Sequence, residues 1–313
     1  MGVQLSGQEK VGYRRSLDLA RFVACFGIVW DHARAPYADV GYLALALFLV
    51  LTSFLSIGSF DRSGGRQDSQ NFWLIRARRI AVPWLFWCLV YRVIFEIVSD
   101  EPFMVMTDPM TLFIGPSIHL WFLPFVMLTL PLIPILSLSI ITRRNLIQGC
   151  CILVIVSLPL GWLHAQVGLA GWFVDVGLYR QPLPQWFFSL PLFLYGALAA
   201  VAHRLNMPGV AVATAACVSV PLFVLVPEFA SLQMVLVALV FEGLWRWPLK
   251  GTWATTLAGS AFGIYLLHPA AMLVAFKLFG PDIDRSLAAI FAFLLCWGLT
   301  LVLQRLPVMR NFV

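Results

Sequence analysis

Charged residues are scarce in this sequence, because aspartate, glutamate, lysine and arginine together make up 12% of its 313 residues. Soluble domains carry about twice that fraction. Hydrophobic residues reach 61%, and the mean hydropathy is +0.88. This shortage of charge excludes an ordinary soluble globular domain and indicates a protein that crosses a membrane several times.

The sequence also lacks a cysteine framework. Its six cysteines all fall inside apolar runs, no Cys-x-x-Cys occurs, and no Cys/His spacing is typical of zinc sites. We therefore expect no structural disulfide and no metal ion. A cleavable signal pattern is missing too, since residues 1–16 are polar and the first apolar run is long enough to span, so we expect that run to remain as a helix.

Long apolar runs are present throughout the chain, separated by charged or turn-forming residues. A membrane-spanning helix needs about 20 such residues. We predict an all-α polytopic membrane protein with about ten spans, forming a single membrane domain over residues 1–313 with no appended soluble domain. The predicted spans are 19–36, 41–59, 80–98, 117–138, 146–163, 186–203, 208–226, 229–245, 254–274 and 286–303.

Basic residues are unevenly distributed among the predicted loops. With a cytoplasmic N-terminus, most of the 21 lysines and arginines fall on the cytoplasmic side, whereas the acidic loop at 281–284 (Pro-Asp-Ile-Asp) falls outside. An even number of spans then places both termini in the cytoplasm. The net charge of +6 needs no nucleic-acid partner, because these cations would meet lipid headgroups and cytoplasmic anions.

The first predicted span carries two ionisable residues on one face. Arg21 and His32 are eleven residues apart, so in a helix they differ by about 20° around the axis and about 16 Å along it. Ionisable residues inside a span usually line a cavity or pathway. The spacing suits a long ligand with an anionic head and a reactive tail. The alternative is that Arg21 snorkels to the headgroups and His32 bonds a neighbouring helix.

Three further segments place polar residues near the ends of predicted spans. Arginine forks suit phosphate, but positive-inside anchoring is the simpler interpretation of arginines alone, and interfacial tryptophan is common in membrane proteins. Each segment is weak evidence by itself. The segments are FWLIRARRIAVP at 72–83 with Arg76 and Arg79, SIHLWFLP at 117–124 with His119 and Trp121, and GIYLLHP at 263–269 with Tyr265 and His268.

In combination, the order and spacing of these segments resemble the acyltransferase-3 family of integral-membrane acyltransferases. The matching features are an arginine and a histidine separated by ten residues in the first span, an Arg-x-x-Arg motif, a His-Leu-Trp-Phe-Leu segment and a late Tyr-Leu-Leu-His-Pro segment. The resemblance covers most of the chain. Where the family commonly has an acid in the second span, this chain has Ala46.

The resemblance implies about ten helices and the transfer of an acyl group, usually acetyl from acetyl-CoA, to hydroxyls of an envelope polysaccharide or exopolysaccharide. Succinyl-CoA is the main alternative donor, and the acceptor would be a polymer or a lipid-linked oligosaccharide in the bacterial inner membrane. Bound partners would be acyl-CoA, the saccharide and membrane lipids. We assign His32 and Trp121 to catalysis, Arg21, Arg76 and Arg79 to coenzyme binding, and His119, Tyr265 and His268 to substrate binding.

Imidazole has a suitable pKa to take a proton from a hydroxyl near pH 7, so His32 is the predicted general base. A transporter or flippase for a lipid-linked sugar is the rival hypothesis, because buried arginine, histidine and Glu242 would also serve a substrate path. Such transporters usually show internal repeats or broken helices in matching halves, and neither is evident in this sequence. A scaffold role leaves the shared face of Arg21 and His32 unexplained.

Overall fold

The computed structural model describes residues 14–62, 69–98, 115–166 and 183–313. Within these ranges the regular elements are helices and there is no strand. Short 3₁₀ turns lie at Ile118–Trp121, Phe229–Leu232 and Met309–Asn311. The α-helices are α1 (Arg15–His32), α2 (Ala38–Arg62), α3 (Ser69–Val98), α4 (Phe122–Thr129), α5 (Leu132–Ser139), α6 (Arg143–Gln166), α7 (Leu183–Arg204), α8 (Pro208–Leu225), α9 (Gln233–Arg246), α10 (Trp253–Gly259), α11 (Ala261–Phe279) and α12 (Arg285–Leu303).

Length and hydropathy identify eight candidate membrane spans in the described residues, in α2, α3, α6, α7, α8, α9, α11 and α12. The α4–α5 pair becomes a ninth if it is counted as one span, and it is bent by 44°. Pro131 lies at this bend, where it removes a backbone donor from the helix. The predicted all-α, multi-pass architecture is therefore confirmed.

The predicted span count of about ten becomes eight or nine by the same criterion. α1 coincides with the first predicted run, but its 18 residues include Arg15, Asp18, Arg21 and Asp31, which are too many charges for a typical span. The predicted ninth run is divided between α10 and α11, of which α11 alone is long and apolar enough. The tenth span thus depends on α1, the helix that carries the candidate site.

Helix α2 lies between α1 and α7, and close contacts between small residues hold these three helices together. A Cβ atom at Gly41 of α2 would lie 2.7 Å from the carbonyl oxygen of Gly27 in α1. One at Gly196 of α7 would lie 2.8 Å from the Cα atom of Val50 in α2. Backbones approach this closely only where side chains are minimal, which is typical of helices packed in a membrane.

The bundle has two ends, which we name from α1. The N-terminal face holds the start of α1 and the end of α9, since the Ser16 hydroxyl donates to the Leu244 carbonyl at 2.6 Å. The opposite face holds the end of α1 at His32. α11 begins about halfway up α1, where Cys25 contacts the Ala261 carbonyl through its sulfur at 3.2 Å. This half-length offset brings the middle of α11 level with the end of α1.

Candidate active site

His32 is the last residue of α1 and lies at the opposite face with 28% of its side chain exposed. Its Nδ1 atom is 2.9 Å from the Ile28 carbonyl oxygen. A carbonyl oxygen can only accept, so Nδ1 carries the proton and Nε2 keeps a lone pair. The neighbouring Asp31 carboxylate is 3.9 Å from Nδ1. The arrangement leaves His32 with a free basic nitrogen at an accessible position.

Three histidines that are distant in sequence meet at this place. The ring of His32 lies 4.8 Å from the ring of His268 in α11, and His268 lies 5.0 Å from His119 in the 3₁₀ turn before α4. His119 and His268 are buried, with 2% and 0% of their surfaces exposed. These edge-to-face ring contacts connect the partly exposed His32 to the interior of the bundle.

The two buried histidines each use one nitrogen to hold their position. His268 donates from Nδ1 to the Tyr265 carbonyl at 2.7 Å, and the Nδ1 atom of His119 is 2.8 Å from the Ser117 hydroxyl. In the part of the chain that the structure describes, Nε2 of both residues is buried without a hydrogen-bond partner. Buried polar atoms are normally satisfied, so such atoms are suited to a ligand or an ordered water.

Tyrosines from two helices fix the histidine cluster. The Tyr265 hydroxyl donates to the carbonyl of His119, which ties α11 to the turn before α4. The Tyr91 hydroxyl donates to the Leu266 carbonyl at 2.6 Å, and its ring lies 5.0 Å from that of His119. Sequence reasoning missed Tyr91. The available signal was a polar hydroxyl beside Arg92 in the second half of α3, where Glu96 is the other charged residue.

Trp121 lies one short turn after His119 and is buried among aromatic side chains. Its ring is 6.0 Å from that of Phe122 and 6.1 Å from that of Phe125. Its carbonyl oxygen accepts a hydrogen bond from the indole of Trp186 in α7 at 3.3 Å. The structure therefore places Trp121 between α4 and α7, in the same 3₁₀ turn as His119.

The predicted coenzyme-binding arginines occupy two different helices. Arg21 is half-buried on α1, on the same side as His32. Arg76 of α3 is half-buried, donates to the Ser56 hydroxyl at 3.4 Å and stacks 4.6 Å from the ring centroid of Phe72. Arg79, one turn further, is exposed. Arg76 is thus held against α2, whereas Arg79 is open to its surroundings.

Two further polar clusters near the N-terminal face were not predicted from sequence. Arg204 at the end of α7 donates to both carboxylate oxygens of Asp61 at 3.1 Å, to the Ser137 hydroxyl at 2.8 Å and to two carbonyls. His203 pairs with Glu242 of α9 at 2.7 Å. Glu242, an isolated intramembrane acid in the sequence, therefore has a local partner.

No group of three or more histidine, cysteine, aspartate or glutamate side chains could hold a metal ion in residues 14–62, 69–98, 115–166 and 183–313. The ring of His268 meets the rings of His32 and His119 edge to face, at interplanar angles of 76° and 70°. Imidazole groups in this arrangement can accept hydrogen bonds from a ligand and can transfer protons.

Comparisons with known proteins give one match. A family model described as an acyltransferase domain matches residues 14–305, from the residue before α1 to just beyond α12. No curated protein and no solved structure matches the chain. The matched region contains the three histidines, the two tyrosines and the three arginines described above. Because the match covers nearly the whole membrane bundle, the chain belongs to the acyltransferase 3 family of membrane acyltransferases.

Proposed function

We propose that this protein transfers an acyl group, most simply acetyl, from acyl-CoA to a hydroxyl of an envelope polysaccharide or exopolysaccharide sugar. The single observation that carries the proposal is the state of His32. Its Nδ1 is occupied by the Ile28 carbonyl, so Nε2 is a base at an accessible point of a buried site. A family of acyltransferases needs such a base where donor and acceptor meet.

The reaction would proceed by attack of the sugar hydroxyl on the thioester carbonyl carbon. The hydroxyl proton passes to Nε2 of His32 as the carbon–oxygen bond forms. Collapse of the tetrahedral intermediate breaks the carbon–sulfur bond, and the proton on His32 passes to the departing thiolate. The products are the O-acylated sugar and free CoA, and His32 returns to its neutral state.

The donor would be bound by arginine. Arg21 lies about 16 Å from His32 along α1, a separation comparable to the pantetheine arm of CoA. Guanidinium groups of Arg21, Arg76 and Arg79 would bind the anionic groups of the donor. Succinyl-CoA would fit the same scheme, since its thioester and nucleotide are the same as those of acetyl-CoA.

The acceptor would enter from the opposite face, where His32 is exposed. The Nε2 lone pair of His268 would accept a hydrogen bond from a sugar hydroxyl, and His119 would supply a second polar contact. The Tyr265 hydroxyl is already bonded to the His119 carbonyl, so we assign it to positioning His119. Trp121 would close the wall of the site next to these residues.

The proposed topology has ten crossings, with α1 as the first, and both termini in the cytoplasm of a bacterium. The N-terminal face would then meet cytoplasmic acyl-CoA, and the opposite face would meet the extracytoplasmic saccharide. The coenzyme itself would not need to cross the membrane.

The proposal is tested with purified protein in lipid nanodiscs, radiolabelled acetyl-CoA and envelope glycan from cells that lack the protein. We expect label in the glycan only when protein is present, and mass spectrometry should locate it as an alkali-labile ester. Succinyl-CoA tested in parallel identifies the donor. If the glycan is the same with and without the protein and receives label from neither donor, the proposed function is wrong.

A further inference from the structure

A cavity of about 260 Å³ lies at the N-terminal face, away from the cluster of His32, His119 and His268. We call it the arginine–tryptophan pocket, and its lining residues are Arg14, Arg15, Trp247, Pro248 and Leu249. The pocket therefore lies between the start of α1 and the segment that follows α9. Neither the sequence motifs nor the site described above uses these residues.

Among the described residues, the lining of the pocket combines two cations with an accessible aromatic ring and includes no carboxylate. Trp247 has 47% of its surface exposed. The Arg14 guanidinium lies 5.2 Å from the ring centroid of Trp245, which adds a second indole beside the pocket. Guanidinium groups bind phosphate, and an exposed indole stacks on a nucleobase. Together these groups suit a phosphorylated nucleoside.

The backbone at the pocket provides further support for anion binding. Arg14 has an extended conformation at the N-cap of α1, and it makes no side-chain capping hydrogen bond. The first N–H groups of a helix lack intrahelical acceptors and attract anions. The bond from Ser16 to the Leu244 carbonyl holds the start of α1 against α9. Both walls of the pocket are therefore fixed relative to one another.

The position of the pocket relative to His32 matches a long donor. Arg14 precedes the first helical residue and has an extended conformation, so it follows no helical periodicity, whereas Arg21 and His32 lie within about 20° of one another around α1. Arg15, the first residue of α1, lies about 9 Å below Arg21 and about 26 Å below His32 along the helix axis. A ligand with its head in the pocket therefore needs a reach of about 26 Å to bring its reactive end to His32.

We infer that the arginine–tryptophan pocket binds the adenosine 3′-phosphate head of acyl-CoA. The adenine stacks on Trp247, the 3′-phosphate is bound by Arg14 and Arg15, and the diphosphate and pantetheine arm extend from the pocket toward His32. This inference rests on the proposed function, because that function supplies acyl-CoA as the donor.

The competing explanation is that Arg14 and Arg15 only anchor the helix end at anionic lipid. The chain offers a matched control in Arg143 and Arg144, a second pair of consecutive arginines at the start of a helix, both exposed. Anchoring by charge affects both pairs alike, whereas nucleotide recognition is specific to Arg14 and Arg15.

The experiment compares three donors with the full-length protein in nanodiscs: acetyl-CoA, 3′-dephospho-acetyl-CoA and S-acetylpantetheine. For the parent we expect KM to rise about tenfold when the 3′-phosphate is absent, the scale of one charge-assisted contact. The double variant R14A/R15A should raise KM for acetyl-CoA about tenfold and abolish the preference for the 3′-phosphate, with KM for S-acetylpantetheine unchanged. W247A should weaken both nucleotide donors, and W247F should restore them.

A binding measurement separates this inference from the proposed function. Adenosine 3′,5′-bisphosphate should bind the parent and R143A/R144A in calorimetry and should not bind R14A/R15A, whether or not acyl transfer occurs. If acetyl-CoA is used normally but R14A/R15A and R143A/R144A behave alike, the pocket is not the nucleotide site and the transfer function stands. If no transfer occurs but bisphosphate binding still requires Arg14 and Arg15, the pocket is a nucleotide site and the proposed transfer function is wrong. If the parent binds no bisphosphate, the inference is wrong.

Discussion

Two clusters of buried polar residues differ in how completely they are satisfied. In the cluster of Asp61, Ser137 and Arg204, both terminal nitrogens of the arginine donate to carboxylate, hydroxyl or carbonyl oxygens, and its Nε atom has no partner among the described residues. In the histidine cluster, Nε2 of His119 and of His268 has no partner among the described residues. A cluster in which the opposite charges are paired across helices holds the helices together, whereas a cluster with unpartnered acceptor nitrogens is suited to bind a ligand.

The largest expected effect is a loss of acyl transfer when the histidine cluster is changed. His32→Ala should lower acyl transfer by about 10²- to 10⁴-fold, because a general base contributes that much to rate. The protein should remain folded, since His32 is partly exposed at the end of α1. Transfer is measured with radiolabelled acetyl-CoA, and folding by size-exclusion chromatography in detergent. Near-parental transfer by this variant would remove His32 from the mechanism.

The second prediction concerns the cluster of Asp61, Ser137 and Arg204, where a change should lower stability and leave acyl transfer intact. Asp61→Ala leaves the Arg204 guanidinium buried without its carboxylate, which typically destabilises a protein by about 3–5 kcal/mol. We expect a lower thermal unfolding temperature and a lower yield, with near-parental transfer per folded molecule. Fluorescence-detected unfolding in detergent measures the first quantity. A stable Asp61→Ala protein that has lost transfer would place this cluster in the catalytic machinery instead.

A smaller effect is expected within the histidine cluster itself. Tyr265→Phe removes the hydrogen bond to the His119 carbonyl, a loss of about 1 kcal/mol that should lower transfer about fivefold. The matched control is Tyr195→Phe, because the Tyr195 hydroxyl is buried in α7 with no hydrogen bond in the described part of the chain. Steady-state rates of both variants are compared at saturating donor. Equal rates would contradict a positioning role for Tyr265.

The smallest expected effect concerns the arginines of α3. Arg76→Lys and Arg79→Lys keep the charge but lose the planar fork, so the KM for acetyl-CoA should rise about threefold to fivefold with little change in acceptor dependence. Arg78→Lys is the control, because this exposed arginine lies in the same helical turn. If all three lysine variants use acetyl-CoA as the parent does, these arginines serve membrane anchoring alone.

The helices could be predicted from sequence because their position depends on the hydropathy of neighbouring residues. Apolar runs of spanning length led to the correct helical class, and each predicted run overlaps a helix of the structure. The predicted number of spans differs from the structure at α1, because the charged residues of this helix lower its hydropathy. The features that mark a site are therefore those that weaken the signal for a span.

The members of the candidate site were predicted partly by resemblance and partly by spacing. The spacing of Arg21 and His32 on one helix follows from helical geometry alone. The contact of His32 with His268 joins residues 236 positions apart and depends on how α11 is offset against α1. Tyr91 was missed for the same reason, since its role arises from contacts with α11 and His119.

The sequence by itself determined that this chain is an all-helical membrane protein and that Arg21 and His32 share a helix face, because hydropathy and helical periodicity are properties of neighbouring residues. The tertiary structure alone decided which buried polar groups are paired. Arg204 donates to Asp61 and Ser137, and Glu242 bonds to His203. His119 and His268 each have one nitrogen without a partner among the described residues. Hydrogen bonds between helices require distances of about 3 Å, and these are set by packing rather than by local sequence.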